Sequence, residues 1–217
     1  MTRTGAEGRP ALEDHAESFA DWLRVHTREV TIGVVLLAAI AGGGWLYARS
    51  RTIKADRAEA ALAAAQQSVA TGNIPLAQSD LQKLTVRYDG TIAADRANML
   101  LAQLLFDAGK VDSGLAVLTR IDDDGPLGAA AASLRGAGLE QKKQYAEAAR
   151  AYLDAAASAG TPAERDGFRA DAARAYTQAG NTSEALKIWR ELAADDRSIM
   201  AAEARVRIGE LTAKPAD

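Results

Sequence analysis

The chain has 217 residues, a formal net charge of −3, no cysteine, and 48% apolar residues against only 5% aromatic ones. The missing cysteine excludes disulfides, thiolate metal sites and thiol catalysis. The near balance of 26 basic and 29 acidic residues leaves no basic footprint for nucleic-acid phosphates. Alanine dominates the apolar share, and with Leu, Glu, Gln, Arg and Lys it makes a helix-forming composition. The apolar–polar alternation of half-buried strands is absent, so an all-α fold is expected.

Residues 1–29 read as an N-terminal tail. The first ten are polar, with Gly5, Gly8 and Pro10, a composition that does not order itself. From Ala11 the pattern changes: Leu12, Ala16, Phe19, Leu23 and His26 recur at steps of three and four beside Trp22, one face of a short amphipathic helix. Such a helix ahead of an apolar run lies along a membrane interface; the other reading is a partner contact. His15 and His26 stand eleven residues apart with no further ligands in register, so no metal site is expected.

Residues 30–48, VTIGVVLLAAIAGGGWLYA, carry no charge over 19 positions. As a helix they extend roughly 28 Å, the thickness of a hydrocarbon core. Arg28, Glu29, Arg49 and Arg51 close the run, and Trp45 and Tyr47 sit where amphipathic rings prefer the headgroup level. One transmembrane helix is expected, an uncleaved anchor. A cleaved signal ending at Ala39-Ile40-Ala41 fits less well, because the leader is long and partly acidic and the run continues. Gly42, Gly43 and Gly44, four residues after Ala38, Ala39 and Ile40, offer a candidate contact for a second membrane helix; the general frequency of glycine in such helices explains them without one. Orientation stays open. Arg3, Arg9, Arg24 and Arg28 precede the span and Arg49, Arg51, Lys54 and Arg57 follow it. The tighter second cluster leans toward a cytoplasmic C-terminal side.

Residues 49–56 read as a juxtamembrane linker and 57–212 as a repeat domain. Turns at Gly72-Asn73, Gly109-Lys110, Lys143-Gln144-Tyr145 and Gly180-Asn181 are 37, 34 and 37 residues apart, close to the 34 of a tetratricopeptide unit, two antiparallel helices joined by a tight turn. Small residues recur five positions after each turn (Ala77, Gly114, Ala148, Ala185) and seven before it (Ala65, Ala102, Gly136, Ala173). Large ones follow at Leu81, Leu118, Tyr152 and Trp189. This is the small-against-large pattern that closely packed helices need. Asp124-Gly125-Pro126 separates two helices, and Thr161-Pro162-Ala163-Glu164 is a capping box. A last helix from about Ser198 to Leu211 is expected to cap the stack, with Glu203, Arg205, Arg207 and Glu210 facing water; residues 213–217 form a tail. The expected architecture is therefore one transmembrane helix followed by a tetratricopeptide-like α-solenoid of about four helix pairs and a C-terminal capping helix.

No phosphate loop, dinucleotide fingerprint or nucleophile elbow occurs, and no histidine lies outside the leader for a Ser-His-Asp site. Asp122-Asp123-Asp124 lacks the EF-hand spacing and reads as a solvated capping turn. Neither an enzyme nor a cofactor or small-molecule substrate is expected. Solenoids bind along a concave face, which in this register carries Gln66, Arg96, Met99, Gln103, Phe106, Glu140, Gln141, Arg174 and Gln178. Met99, Gln103 and Phe106 share one stripe. Phe106 is either a semi-exposed anchor for a partner segment or a core residue.

The span ending in Gly44-Trp45-Leu46-Tyr47, and stretches such as Tyr88-Asp89-Gly90-Thr91-Ile92-Ala93-Ala94 and Leu101-Ala102-Gln103, make the chain from about Glu17 to Leu211 resemble the ancillary subunit family of the bacterial Sec (SecYEG) translocon, the YfgM-like proteins. That resemblance implies an inner-membrane protein with its N-terminus in the cytoplasm and its repeat domain in the periplasm. It implies protein partners: translocon subunits, a periplasmic chaperone and secreted chains. It brings no catalytic residues.

Overall fold

A computed structural model describes residues 25–213. The expected amphipathic leader helix falls almost wholly outside them, as do residues 214–217. Nine helices make up the described chain: α1 (Thr27–Ala70), α2 (Ile74–Arg87), α3 (Ile92–Asp107), α4 (Val111–Leu118), α5 (Gly128–Gln141), α6 (Tyr145–Ala157), α7 (Pro162–Gln178), α8 (Thr182–Ala194) and α9 (Ala201–Thr212). No strand occurs among the described residues. The chain divides into two units after Ile53.

The first unit holds the apolar run. It lies within α1, and the side chains Val34, Val35, Leu36, Leu37, Ile40 and Leu46 are all more than half exposed. A helix this long and apolar passes the length and composition test for crossing a membrane. Residues 49–56, read as a linker, are helical and belong to α1. Nothing in their composition breaks a helix: they contain neither glycine nor proline.

The second unit, from Lys54, is the helical repeat stack. Consecutive helices from α2 onward pack on one another, and α3 also touches α5. The residues picked from the repeat period are the ones buried. Ala65, Ala77, Ala102, Ala148, Ala173 and Ala185 have no exposed surface, nor do Leu81, Leu118 and Trp189. Gly114 and Gly136 are buried too.

The four turns share one backbone solution. In each, the second residue after the helix adopts a left-handed φ: Gly72 (78°), Gly109 (72°), Lys143 (59°) and Gly180 (76°). Its N–H bonds the carbonyl three residues back, and the next N–H bonds the carbonyl five back. Examples are Gly109 to Phe106 (2.9 Å) and Lys110 to Leu105 (2.8 Å), or Lys143 to Glu140 (2.8 Å) and Gln144 to Leu139 (2.9 Å). This is the Schellman pattern, which satisfies carbonyls that a helix end leaves orphaned. The residue that closes one helix then opens the next: the carbonyls of Asn73, Lys110, Gln144 and Asn181 accept from Ala77, Gly114, Ala148 and Ala185. A three-residue connection leaves the following helix little choice but to fold back antiparallel.

Other ends follow their signals. The Thr161 hydroxyl accepts from the Glu164 N–H (3.2 Å) and donates to its carboxylate (3.0 Å). Asp122 accepts from the Asp124 N–H (3.1 Å), and Asp123 pairs with Arg135 (2.6 Å), so two of the three aspartates serve the α4–α5 loop. The last helix begins at Ala201, three residues later than expected, because Ser198 is taken up in a turn closed by its own N–H on the Asp195 carbonyl (2.9 Å).

Candidate functional site

The first helices of the pairs, namely the Lys54–Ala70 part of α1 with α3, α5 and α7, continue in α9 as an unpaired first helix. Charged side chains join neighbouring members of this series. Arg96 of α3 reaches Glu59 of α1 (3.2 Å), both about half exposed. The stronger link is at the far end. The Arg174 guanidinium of α7 grips the Glu203 carboxylate of α9 through Nε (3.0 Å) and Nη2 (2.8 Å), and Nη1 turns to Asp171. Arg207 bonds Glu203 (3.4 Å) and Glu210 (2.9 Å). The Arg174 guanidinium also lies 6.0 Å from the ring centroid of Trp189. Nearby, the Tyr152 hydroxyl donates to Glu140 (3.0 Å).

Burial and pairing pull these groups apart electrostatically. Burial raises the Asp171 carboxyl above its ordinary value, against the lowering effect of Arg174. Glu203 is lowered, first by the Arg174 hydrogen bonds. Tyr152 is raised by burial and then by the Glu140 carboxylate that accepts its proton, which keeps it a neutral donor. A cleft of about 140 Å³ beside this cluster is bounded by Arg174, Gln178, Trp189, Arg207 and Leu211.

The nine residues assigned to the binding face separate into three groups. Gln66, Gln103, Gln141 and Gln178 are exposed amides, and Arg96 is an exposed cation in an ion pair. Met99, Glu140 and Arg174 are half-buried. Phe106 is turned inward and only 5% exposed, so of its two readings the anchor is replaced by the core residue. Its ring fills a slot left by two glycines: a Cβ on Gly114 would stand 2.4 Å from a ring carbon, and one on Gly138 2.6 Å. Of these nine, Gln178 and Arg174 come together in one cleft. Among the described residues no three His, Asp or Glu side chains converge on a metal-sized site.

Paired antiparallel helices with a common left-handed turn and a common small-large packing rule identify the architecture, and residues 21–195 match the tetratricopeptide repeat-like domain family. The chain belongs to that family. The matched region starts before the apolar run and stops before α9. Among solved structures it is similar to the nearly identical TPR-like repeats assigned to a kinesin light chain of Podosopora anserina. That likeness has a TM-score of 0.55 at 14% identity and covers 71% of this chain and 85% of that one. A single-substitution variant of the same protein gives 0.53 at 14%, covering 71% and 84%. No curated protein matches.

A tetratricopeptide-like stack is a protein–protein interaction fold, and its first-helix face carries exposed amides and paired charges. Sequence reasoning missed the partners of Arg174 on that face. Glu203 lies 29 residues away, and it and Arg207 were expected to face water. Glu203 turns instead toward Arg174 of α7, because α9 occupies the place of a next first helix, and Arg207 bonds Glu203 and Glu210 along α9 itself. No local pattern signals such a pairing; the position of α9 as a continuation of the repeat would have.

Proposed function

We propose that the chain is a membrane-anchored protein–protein interaction module, an ancillary subunit of the Sec translocon. Its tail is cytoplasmic, and its repeat domain stands in the periplasm and engages chaperones that receive emerging chains. The observation that carries this reading is the joining of an exposed, membrane-length apolar helix segment to a tetratricopeptide-like domain in one family unit. The resemblance through Gly44-Trp45-Leu46-Tyr47 and the Tyr88–Ala94 stretch supplies the translocon. The first-helix face, with its exposed amides at Gln66, Gln103, Gln141 and Gln178, supplies donors and acceptors suited to a partner's backbone.

The test uses the absence of cysteine. Single cysteines at Lys187 in the repeat domain and at Thr2 in the tail are treated with a membrane-impermeant thiol reagent in intact spheroplasts. Labelling at 187 with protection at 2 is the expected result. The reverse places the repeats in the cytoplasm and ends the translocon–chaperone reading. A second reading, a cytoplasmic-side adaptor, is favoured by one observation, the tight basic cluster Arg49, Arg51, Lys54 and Arg57 after the span. The same labelling separates the two. A role in another envelope or cell-division assembly is distinguished by the partner that crosslinks to position 103 or 178.

A further inference from the structure

Two aromatic–arginine pairs mark the C-terminal end of the apolar run in α1. Trp45 and Tyr47 are 61% and 63% exposed. The Arg49 guanidinium lies 5.4 Å from the Trp45 ring centroid, and that of Arg51 5.3 Å from Tyr47. Each pair spans one helical turn. Helical side chains lean toward their own N-terminus, so both cations are drawn back by about 5 Å toward the apolar run.

Neither arginine has an acidic partner among the described residues. The sequence explains why: no acidic residue occurs between Glu29 and Asp56. Each guanidinium lies over a ring within cation–π range, with no carboxylate on its N–H edge among the described residues. That edge matches two phosphate oxygens at once, which an ammonium does not. Residues two apart on a helix point about 200° apart, so the pairs occupy opposite sides of α1.

We infer that Trp45–Arg49 and Tyr47–Arg51 are two separate binding sites for the phosphate headgroups of anionic phospholipids, one lipid on each side of the helix. The ring fixes the guanidinium at headgroup depth, and the two uncompensated charges select anionic over zwitterionic lipid. The inference rests on the membrane-spanning reading of the apolar run.

The experiment is native mass spectrometry of the full chain taken from vesicles of equimolar phosphatidylcholine and phosphatidylglycerol. The wild type is expected to retain two phosphatidylglycerol molecules, Arg49→Gln and Arg51→Gln one each, and the double variant none. Trp45→Leu/Tyr47→Leu keeps both charges yet is expected to lose more than half of the bound lipid. Full retention by the double arginine variant overturns the sites, and full retention by the double aromatic variant overturns the pairing. Equal retention of phosphatidylcholine overturns the selection. Displacement of the lipid by millimolar inorganic phosphate assigns the sites to a soluble anion and overturns them as well. Alkaline carbonate extraction of the same proteins reads the span independently. A wild type that washes off fails the membrane reading, whereas variants that stay embedded with unchanged lipid fail only the headgroup sites.

Discussion

The two ends of the repeat stack reach the same helix-pair geometry with different materials. The cluster under α2 and α3 buries six leucines, Leu62, Leu81, Leu84, Leu101, Leu104 and Leu105, among alanines. The cluster of α6, α7, α8 and α9 buries eight alanines and depends on Trp189, Tyr152, Ile188 and Leu192 for volume. Each buried leucine contributes about 2–3 kcal/mol, so the first end spreads its stability over many similar residues. At the second end the close approach of alanine-faced helices concentrates it in one indole with no exposed surface, and an ion-pair cluster ties on the terminal helix. The lesson is that a repeat register fixes where small and large residues stand, not how many carry the load.

The sharpest test of that contrast is truncation. Trp189→Ala is expected to cost about 4–5 kcal/mol, because neighbouring alanines cannot repack into the space, whereas Leu81→Ala costs about 3 kcal/mol among leucines that can shift. Thermal unfolding of the detergent-solubilised full chain, followed by circular dichroism, measures both. Equal losses break the comparison.

Between the two ends lies the Phe106 slot. Gly138→Ala adds helix propensity worth about 1 kcal/mol, but its methyl meets the ring at 2.6 Å. A net loss of about 1–2 kcal/mol is expected from overpacking. Phe106→Leu, which shortens the side chain, is expected to relieve most of it in the double variant. If the two losses simply add, the slot is not the cause. The same variants test the face: with Phe106 inside, Phe106→Ala lowers the melting temperature and leaves partner capture by the folded chain unchanged.

Much of this was legible in the sequence, for local reasons. The turns at Gly72, Gly109 and Gly180 were readable because a left-handed residue is needed there and glycine takes it without strain. The small positions were readable because period and packing coincide. What escaped needed tertiary knowledge. Phe106 shares a stripe with Met99 and Gln103, so periodicity alone could not say that Gly114 and Gly138, on α4 and α5, open a pocket for it. Glu203 looked like a solvent-facing charge because its partner Arg174 lies on α7, beyond any helical window. The helical state of residues 49–56 had no contrary signal, and only the habit of placing a linker between a span and a domain obscured it.

A smaller effect tests the polar side of the comparison. Glu203 has a folded-state pKa below its ordinary 4.5 through its bonds to Arg174. Its contribution is therefore complete above that range and is lost as pH falls through the folded value. Glu203→Gln is expected to cost about 1 kcal/mol at pH 7, discounted for the partial exposure of both partners. The gap between variant and wild type should narrow as pH falls below 4.5. Asp171, raised by burial, acts in the opposite sense: ionising it opposes folding, so protonation below its folded value returns stability. A gap that persists unchanged at pH 3 would show that the α7–α9 link is packing rather than charge.

The smallest expected effect is also the most local. Lys143 holds the left-handed position that glycine holds in the other three turns, with φ of 59°. A side chain there costs about 1 kcal/mol relative to glycine. Lys143→Gly removes that strain but frees the unfolded chain, which returns part of the gain. A net stabilisation of about 0.5 kcal/mol is expected, visible as a rise of a degree or two in melting temperature. Gly109→Ala, the converse change, is expected to destabilise by about 1 kcal/mol. The two turns have the same hydrogen bonds, Lys143 to Glu140 and Gly109 to Phe106, so opposite signs at the two sites would isolate backbone strain from contact. If Lys143→Gly destabilises instead, the lysine side chain contributes something at that turn that outweighs its strained backbone.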